Sequence, residues 1–407
     1  MDTLTKPISA PRRRTTADTV YPILLLVSVT HLLNDMMQSV IPAVYPLLKA
    51  KFGFSFAQIG LITLVFQMTS SILQPFVGRY ADRHPRPYSL AAGMCFTLAG
   101  LFALALAPGF APILLAVALI GWGSSIFHPE SSRVAQLASG GRKGLAQSIF
   151  QVGGNAGSAF GPLLAALVVS PYGQTSIMWF APAALLAIGI LLRIGNWYKR
   201  QLNAATAAPV TATAAAAELP RRKIRRALLI LTVLVFSKYF YIACMTNYFT
   251  FFLMDKFAFS VQDAQYSLFA FLAASAAGTV IGGPLGDRIG RKYVIWGSIL
   301  GAAPFALMLP YAGSGSAVAL AILVGLIISS AFSAIVVYAT DLMSGRVGMI
   351  AGLFFGLMFG LGGLGSAFFG WLADRTSIEF IFRVSTLLPL LGVITGFLPN
   401  IEKRRKP

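Results

Sequence analysis

The sequence predicts an all-α integral membrane protein, with twelve transmembrane helices in two pseudo-symmetric six-helix bundles. Three observations predict it. Hydrophobic residues make up 57% of the 407-residue chain and charged residues 11%, with a mean hydropathy of +0.75; a soluble domain carries about a quarter charged residues. The chain also repeats itself: Lys51-Phe52-Gly53-Phe54-Ser55 returns as Lys256-Phe257-Ala258-Phe259-Ser260, and Gly78-x-x-x-Asp82-Arg83-x-x-Arg86 returns as Gly283-x-x-x-Asp287-Arg288-x-x-Arg291, both 205 residues later. Finally, Lys and Arg gather in alternate connections between apolar runs.

A helix of about 20 apolar residues crosses the hydrocarbon core with its own backbone hydrogen bonds satisfied. Such windows run at about 20–47, 56–80, 88–107, 111–135, 145–169, 175–196, 226–254, 262–286, 292–311, 316–340, 346–372 and 377–398. They divide the chain into a basic tail (1–19), a first bundle (20–197), a linker (198–225), a second bundle (226–398) and a basic C-terminal tail (399–407). In the linker, Asn203 to Ala217 is mostly Ala and Thr, and Arg221 to Arg226 is nearly all basic, without apolar periodicity. That composition predicts a flexible cytoplasmic connection. The first apolar run is too long for a signal peptide and no small-residue cleavage site follows it, so it is expected to remain as the first span. Cys95 and Cys244 fall inside spans and form no disulfide framework.

The net charge of +19 is placed as a membrane protein places it. Basic residues cluster at Arg12 to Arg14, at Arg79/Arg83/Arg86, at Arg142/Lys143, in the linker, at Arg288/Arg291/Lys292, at Arg346 and at Lys403 to Lys406, whereas the intervening connections carry only Lys49, Lys51, Lys256 and Arg375. By the positive-inside rule both termini are cytoplasmic, which requires an even number of spans. Binding of RNA or anionic lipid by the basic loops is the competing explanation of the charge; no nucleic-acid partner is expected.

Two like halves of apolar helices suit a secondary transporter with its substrate path between them. In the repeated motif, Gly78 and Gly283 let helices approach closely. Asp82 and Asp287 then lie where helices of the other half begin, so that an anion meets the positive end of a helix dipole and neighbouring Arg side chains. Such contacts hold one face shut and break when it opens; alternatively, the motif only anchors its loop at the membrane surface. A third, partial copy, Gly370-x-x-x-Asp374-Arg375, ends the eleventh span on the opposite side and has no role assigned on sequence grounds.

The duplicated motif resembles the signature loop of the major facilitator superfamily. The second copy matches throughout, and the first carries Pro85 and Pro87 where the family has Gly and a basic residue. Gly157-Ser158-Ala159-Phe160-Gly161-Pro162 resembles the G-x-x-x-G-P element of the antiporter branch. The Arg and Gln that many members carry in the fourth span are Val117 and Ile120, although Gly121-x-Gly123 remains. More closely, His31-Leu32-Leu33-Asn34-Asp35-Met36-Met37-Gln38-Ser39, Phe127-His128-Pro129-Glu130-Ser131-Ser132-Arg133, Gln147 to Asn155 and Phe236-Ser237-Lys238-Tyr239-Phe240-Tyr241 are similar to the fosmidomycin-resistance efflux family over all but the tails and linker. That resemblance implies export of fosmidomycin, a small phosphonate with a hydroxamate group, in exchange for protons.

A charged side chain at the bilayer centre costs about 2.5–3.5 kcal/mol on insertion scales, so each one needs a reason. His31, Asp35 and Gln38 recur at helical spacing with Asn34 beside them, and Asp35 lies about 22 Å into the first span. Asp35 is a candidate proton carrier with His31; a purely structural His31–Asp35 pair is the alternative. His128, Glu130 and Arg133 follow late in the fourth span, and Glu130 with Arg133 can pair on one face. Glu130 is the second candidate carboxyl, and His128 and Arg133 serve a gate or substrate unless Arg133 merely snorkels. A metal site of His31, His128 and Glu130 lacks ligand spacing, and no metal is expected.

Gln147, Gln151 and Asn155 repeat every four residues, suited to a wet path or to gluing helices. Lys238 lies about 18 Å into the seventh span with Tyr239 and Tyr241 near it, and a cation with phenolic donors suits a phosphonate; pairing with an acid across the bundle is the alternative. Taken with the resemblance, these residues imply a proton-coupled exporter of small anionic drugs working by alternating access. It would be a monomer in the bacterial inner membrane, with no cofactor beyond the proton gradient. An organic-anion symporter or uniporter on the same scaffold is the first rival. A membrane enzyme is the remote one, since neither a nucleotide loop nor a nucleophile elbow occurs.

Overall fold

The computed structural model describes residues 18–140, 142–205, 220–342 and 347–401. All regular elements among them are helical. Twelve helices are long and apolar enough to cross a membrane: α1 (Tyr21–Phe52), α2 (Phe56–Val77), α3 (Ser89–Leu106), α4 (Phe110–Leu137), α5 (Leu145–Tyr172), α6 (Gln174–Asn203), α7 (Arg221–Phe257), α8 (Val261–Gly282), α9 (Arg291–Tyr311), α10 (Ser314–Ala339), α11 (Gly356–Arg375) and α12 (Ile378–Phe397). The helices of α2, α8 and α11 extend past these apolar bounds, over Phe56–Arg83, Val261–Ile289 and Val347–Arg375. The outer walls of α1, α4, α6 and α12 carry bare Leu25, Leu115, Leu186 and Phe397, as contact with lipid tails requires.

The duplication read from the sequence returns as packing. In the first half α1 packs on α5 and α6, α2 on α4, and α3 on α4 and α6. In the second half α7 packs on α11 and α12, α8 on α10, and α9 on α10 and α12. The halves meet where α2 lies along α11, α5 along α8, and α1 touches α7. The end at which α1 starts and α12 finishes is termed the terminal face, and the opposite end the distal face.

The repeated Lys-Phe-x-Phe-Ser segment is a helix–turn–helix joint at the distal face. Gly53 (φ +68°) and Ala258 (φ +55°) end α1 and α7 in the left-handed conformation. Two residues later Ser55 and Ser260 cap α2 and α8, accepting from the N–H groups of Gln58 and Asp263.

The signature copies differ as their prolines dictate. The second is helical through Ile289, and Gly290 alone (φ +101°) turns the chain into α9 at Arg291. The first is helical through Arg83, and residues 84–88, holding Pro85 and Pro87, form an irregular connection before α3.

Two expectations change, and one span carries an irregular turn. The linker is shorter than 198–225: the helix of α6 runs to Ala205, and α7 begins at Arg221 behind Pro220. The basic run is therefore a turn of helix, because Arg and Lys are strong helix formers at a terminus that reaches beyond lipid. Residues 206–219, Arg346 and most of both tails lie outside the described residues. In α1 the helix breaks at Val44 after Pro42 and resumes at Tyr45, so this span reaches Phe52 rather than 47. In α5, Pro162 is followed by a π-helical turn over Ala165–Val169, the irregularity expected downstream of a missing N–H.

Candidate functional site

Helix α1 can lie against α5 because α5 presents glycines to it. A Cβ at Gly153 would stand 2.0 Å from Ser28 O, at Gly157 2.2 Å from Leu32 O, and at Gly161 1.9 Å from Ser39 Oγ. The same seam orients His31. A Cβ on Gly154 would be 2.3 Å from the His31 ring; Phe150 stacks on that ring at 4.0 Å, and His31 Nδ1 bonds Phe150 O at 2.8 Å. A carbonyl only accepts, so Nδ1 carries the hydrogen and Nε2 is turned to Asp35, 3.2 Å away.

His128 of α4 repeats the arrangement. Its Nδ1 faces Ser124 O at 3.0 Å, and its Nε2 faces the other Asp35 oxygen at 3.5 Å. One carboxylate thus has an imidazole on each oxygen, and each imidazole has its second nitrogen tied to the backbone. The two Nε2 atoms, from α1 and α4, converge on one carboxylate. The group is buried but not sealed: Asp35 is 17% and His128 13% exposed. The ring of Phe359, from α11 of the other half, lies 5.7 Å from that of His128.

Polar side chains continue outward from this group. Asn34 donates to Asp35 at 3.0 Å, and Ser124 Oγ links Gln38 (3.3 Å) to His128 (3.2 Å). Ser70 of α2 meets Ser124 at 2.9 Å, and Gln74 reaches Ser70 at 3.4 Å. Ser70 and Gln74 escaped the sequence reading; their spacing of four was the available signal, blurred by Gln67, Thr69 and Ser71 on the same span. On α5, Gln147 accepts from Ser132 (3.1 Å) and Gln151 donates to Asn155 (3.5 Å).

Glu130 and Arg133 stand apart from this group. Glu130, 1% exposed, faces α3, accepting from Ser89 at 3.3 Å and pairing with Arg133 at 3.7 Å. It borders a cavity of about 670 Å³ between α2, α3 and α4, lined also by Tyr80, Arg86 and Tyr88. Among the described residues, the His, Cys and acidic ligand atoms that converge are those of His31, Asp35 and His128, all within 4.8 Å of one another, without Glu130.

In the second half, Lys238 is 1% exposed, yet no hydrogen bond or ion pair to it occurs among the described residues; its ammonium lies 5.4 Å from the ring centroid of Tyr239 and 5.9 Å from that of Phe332. Tyr241 is fully buried, with its hydroxyl unpartnered among the described residues. Burying an amine without a counter-ion is costly, so the position of Lys238 needs a reason. The surroundings of Gly78 and Gly283 and the side chains of Asp82, Arg83 and Asp287 lie outside what the structure describes; Arg86 and Arg288 are exposed at the terminal face.

Twelve spans in mirrored halves, with ionisable groups turned inward rather than to lipid, define a polytopic transporter fold. The sequence profile of the Major Facilitator Superfamily matches residues 27–260 and 239–407, and the chain belongs to that family. It is 57% identical over 396 residues, 97% of each chain, to the fosmidomycin resistance protein of Escherichia coli (strain K12). It is 42% identical over 404 residues, 98% of this chain and 99% of the other, to the uncharacterized MFS-type transporter YfnC of Bacillus subtilis (strain 168). Among solved structures it is similar to a bacterial homolog of the human lysosomal transporter Spinster, in an inward-facing and occupied conformation (TM-score 0.77, 15% identity, 96% of this chain and 99% of that one). It is also similar to the nucleoside transporter NupG (TM-score 0.70, 13% identity, 92% and 98%).

Proposed function

We propose that the protein is a proton-coupled exporter of fosmidomycin or similar small anionic drugs, a drug/H+ antiporter of the bacterial inner membrane with both termini cytoplasmic. The observation that carries the coupling is the His31–Asp35–His128 group, partly exposed and touched by the opposite half at Phe359. Substrate chemistry is supported by identity to the fosmidomycin resistance protein and by Lys238, a buried cation without a counter-ion among the described residues. Lys238, Tyr239 and Tyr241 bind the anion from the second half. His128, Gln38, Asn34, Gln151, Asn155 and Arg133 complete the site from the first.

Alternating access follows from rocking one half against the other about this site. A proton on the His–Asp–His group and a bound substrate exclude one another, so substrate leaves as protons enter. No covalent chemistry is needed, and Glu130, paired with Arg133 against α3, is the secondary candidate for the proton.

Purified protein in vesicles loaded with fosmidomycin tests this. An inward proton gradient drives fosmidomycin out; efflux indifferent to the gradient, or driven only when protons move with it, supports the uniport or symport reading instead. Lys238→Ala is expected to abolish binding of the anion while the protein stays folded, and unchanged affinity removes Lys238 from the site.

A further inference from the structure

The third copy of the signature, Gly370-x-x-x-Asp374-Arg375, ends α11 at the distal face. There the Asp374 carboxylate accepts hydrogen bonds across the seam between halves from Phe56 N and Ala57 N, both at 2.7 Å. These are the first two residues of α2. Their N–H groups have no partner inside the helix, and they form the positive end of its dipole. A carboxylate seated there makes two charge-assisted bonds, each stronger than a neutral one.

The surroundings are built for this contact. A Cβ on Gly370 would stand 2.2 Å from Phe56 O, so glycine is what lets the strut approach. Arg375 is turned aside, 4.3 Å over the ring of Trp371. The Asp374 carboxylate bonds across the seam. The neutral contacts around it are also distal: Thr63 with Asn247 (2.7 Å), Gln265 with Ala43 O (2.8 Å) and Gln262 with Ala166 O (3.4 Å). Asp374 itself is exposed, so water competes for it and the contact can break.

The helices of α2 and α11 run antiparallel. Phe56 meets Gly370, Gly60 meets Ser366, Gln67 meets Gly363 and Ser71 meets Gly356. Each ends in Gly-x-x-x-Asp-Arg, at opposite faces, and continuing the register brings the last turn of α2 to the first turn of α11. The seam thus has one such ending at each face.

We infer that Asp374 is the distal latch of the transport cycle: its carboxylate, seated on the first turn of α2, holds the distal face shut while the site opens to the terminal face. It releases when the distal face opens. The inference rests on the alternating-access part of the proposed function and on neither the drug nor the proton.

Spin labels at Leu106 and Ser314, exposed at the distal ends of α3 and α10, measure the width of that face in the full chain without substrate, with Cys95 and Cys244 replaced by Ala. The parent is expected to give one short distance. Asp374→Ala and the isosteric Asp374→Asn gain a longer-distance population, raising the open-to-closed ratio roughly tenfold, and Asp374→Glu returns toward the parent. A parent already open, or an Asp374→Asn protein that elutes as the parent does and gives the parent's distances, overturns the latch. Because no drug or gradient is present, that failure is separate from failure of the proposed export.

Discussion

Asp35 is held by geometry as much as by charge, and the weakest point of that geometry is a residue with no side chain. Gly154 leaves the space in which the His31 ring lies, with Phe150 stacked on it and Phe150 O fixing its Nδ1. Gly154→Ala puts a methyl 2.3 Å from the ring, which has to swing away and take Nε2 out of reach of Asp35. A group displaced by about 1 Å in a preorganised site loses one to two orders of magnitude in rate, so a fall in gradient-driven flux of at least about tenfold is expected. Asp35→Asn keeps the shape but removes the ionisable oxygen: pH-driven flux stops, while substrate binding and substrate–substrate exchange persist. Normal gradient-driven transport by Asp35→Asn would eliminate it as the carrier. The stripe His31, Asp35 and Gln38 was legible from spacing alone; the convergence of His128 on the same carboxylate was not, because nothing in one chain's periodicity says which helix faces which. Glu130, three residues from Arg133, was legible as a pair, and its burial against Ser89 of α3 was not.

At the scale of single elements, the repeat with the 205-residue offset is a pair of capped joints, and the pair contains its own control experiment. Gly53 takes the left-handed conformation freely, with no atom within 4 Å of where a Cβ would be. Ala258 takes it against its Cβ. The left-handed form costs an L-residue about 1–2 kcal/mol relative to glycine, so Gly53→Ala is expected to destabilise by about 1 kcal/mol and Ala258→Gly to stabilise by about the same. Unfolding of the purified protein in detergent reads both; shifts of equal sign would refute the shared-joint explanation. The repeat itself was visible in the sequence, but its capped turns and the helix extent at the terminal face were not. Arg221 to Arg226 look like a solvated linker by charge and prove helical, since hydropathy measures where lipid ends and not where the helix does. The π-helical turn after Pro162 was likewise beyond a pattern that registers only a missing N–H.

For the whole molecule, the seam between α2 and α11 is graded along its length, with the backbones closest at the distal end. Near the distal end the backbones touch: a Cβ on Gly60 would lie 2.5 Å from Ser366 O and 2.8 Å from Ala367 Cα. Toward the terminal face the clearance grows, to 3.4 Å at Gly360 and 3.8 Å at Gly356, both against the Ser71 side chain or its carbonyl. The duplicated chain announced two halves, and the glycines announced close approach. Which glycines touch depends on the tilt between halves, a property of the assembled pair that no local pattern encodes. Two alanines put the tilt to the test. Gly60→Ala drives a methyl into backbone that has no room to yield and is expected to destabilise the distal-closed state by about 1–3 kcal/mol. Gly356→Ala places its methyl at ordinary contact distance and is expected to stay within about 0.5 kcal/mol of the parent. Thermal unfolding of the two purified variants reads the difference, and spin labels at Leu106 and Ser314 show whether the lost stability appears as opening of the distal face. Equal effects of the two alanines would mean that the halves meet evenly along the seam, and the distal closure that the Asp374 contact depends on would fall with it.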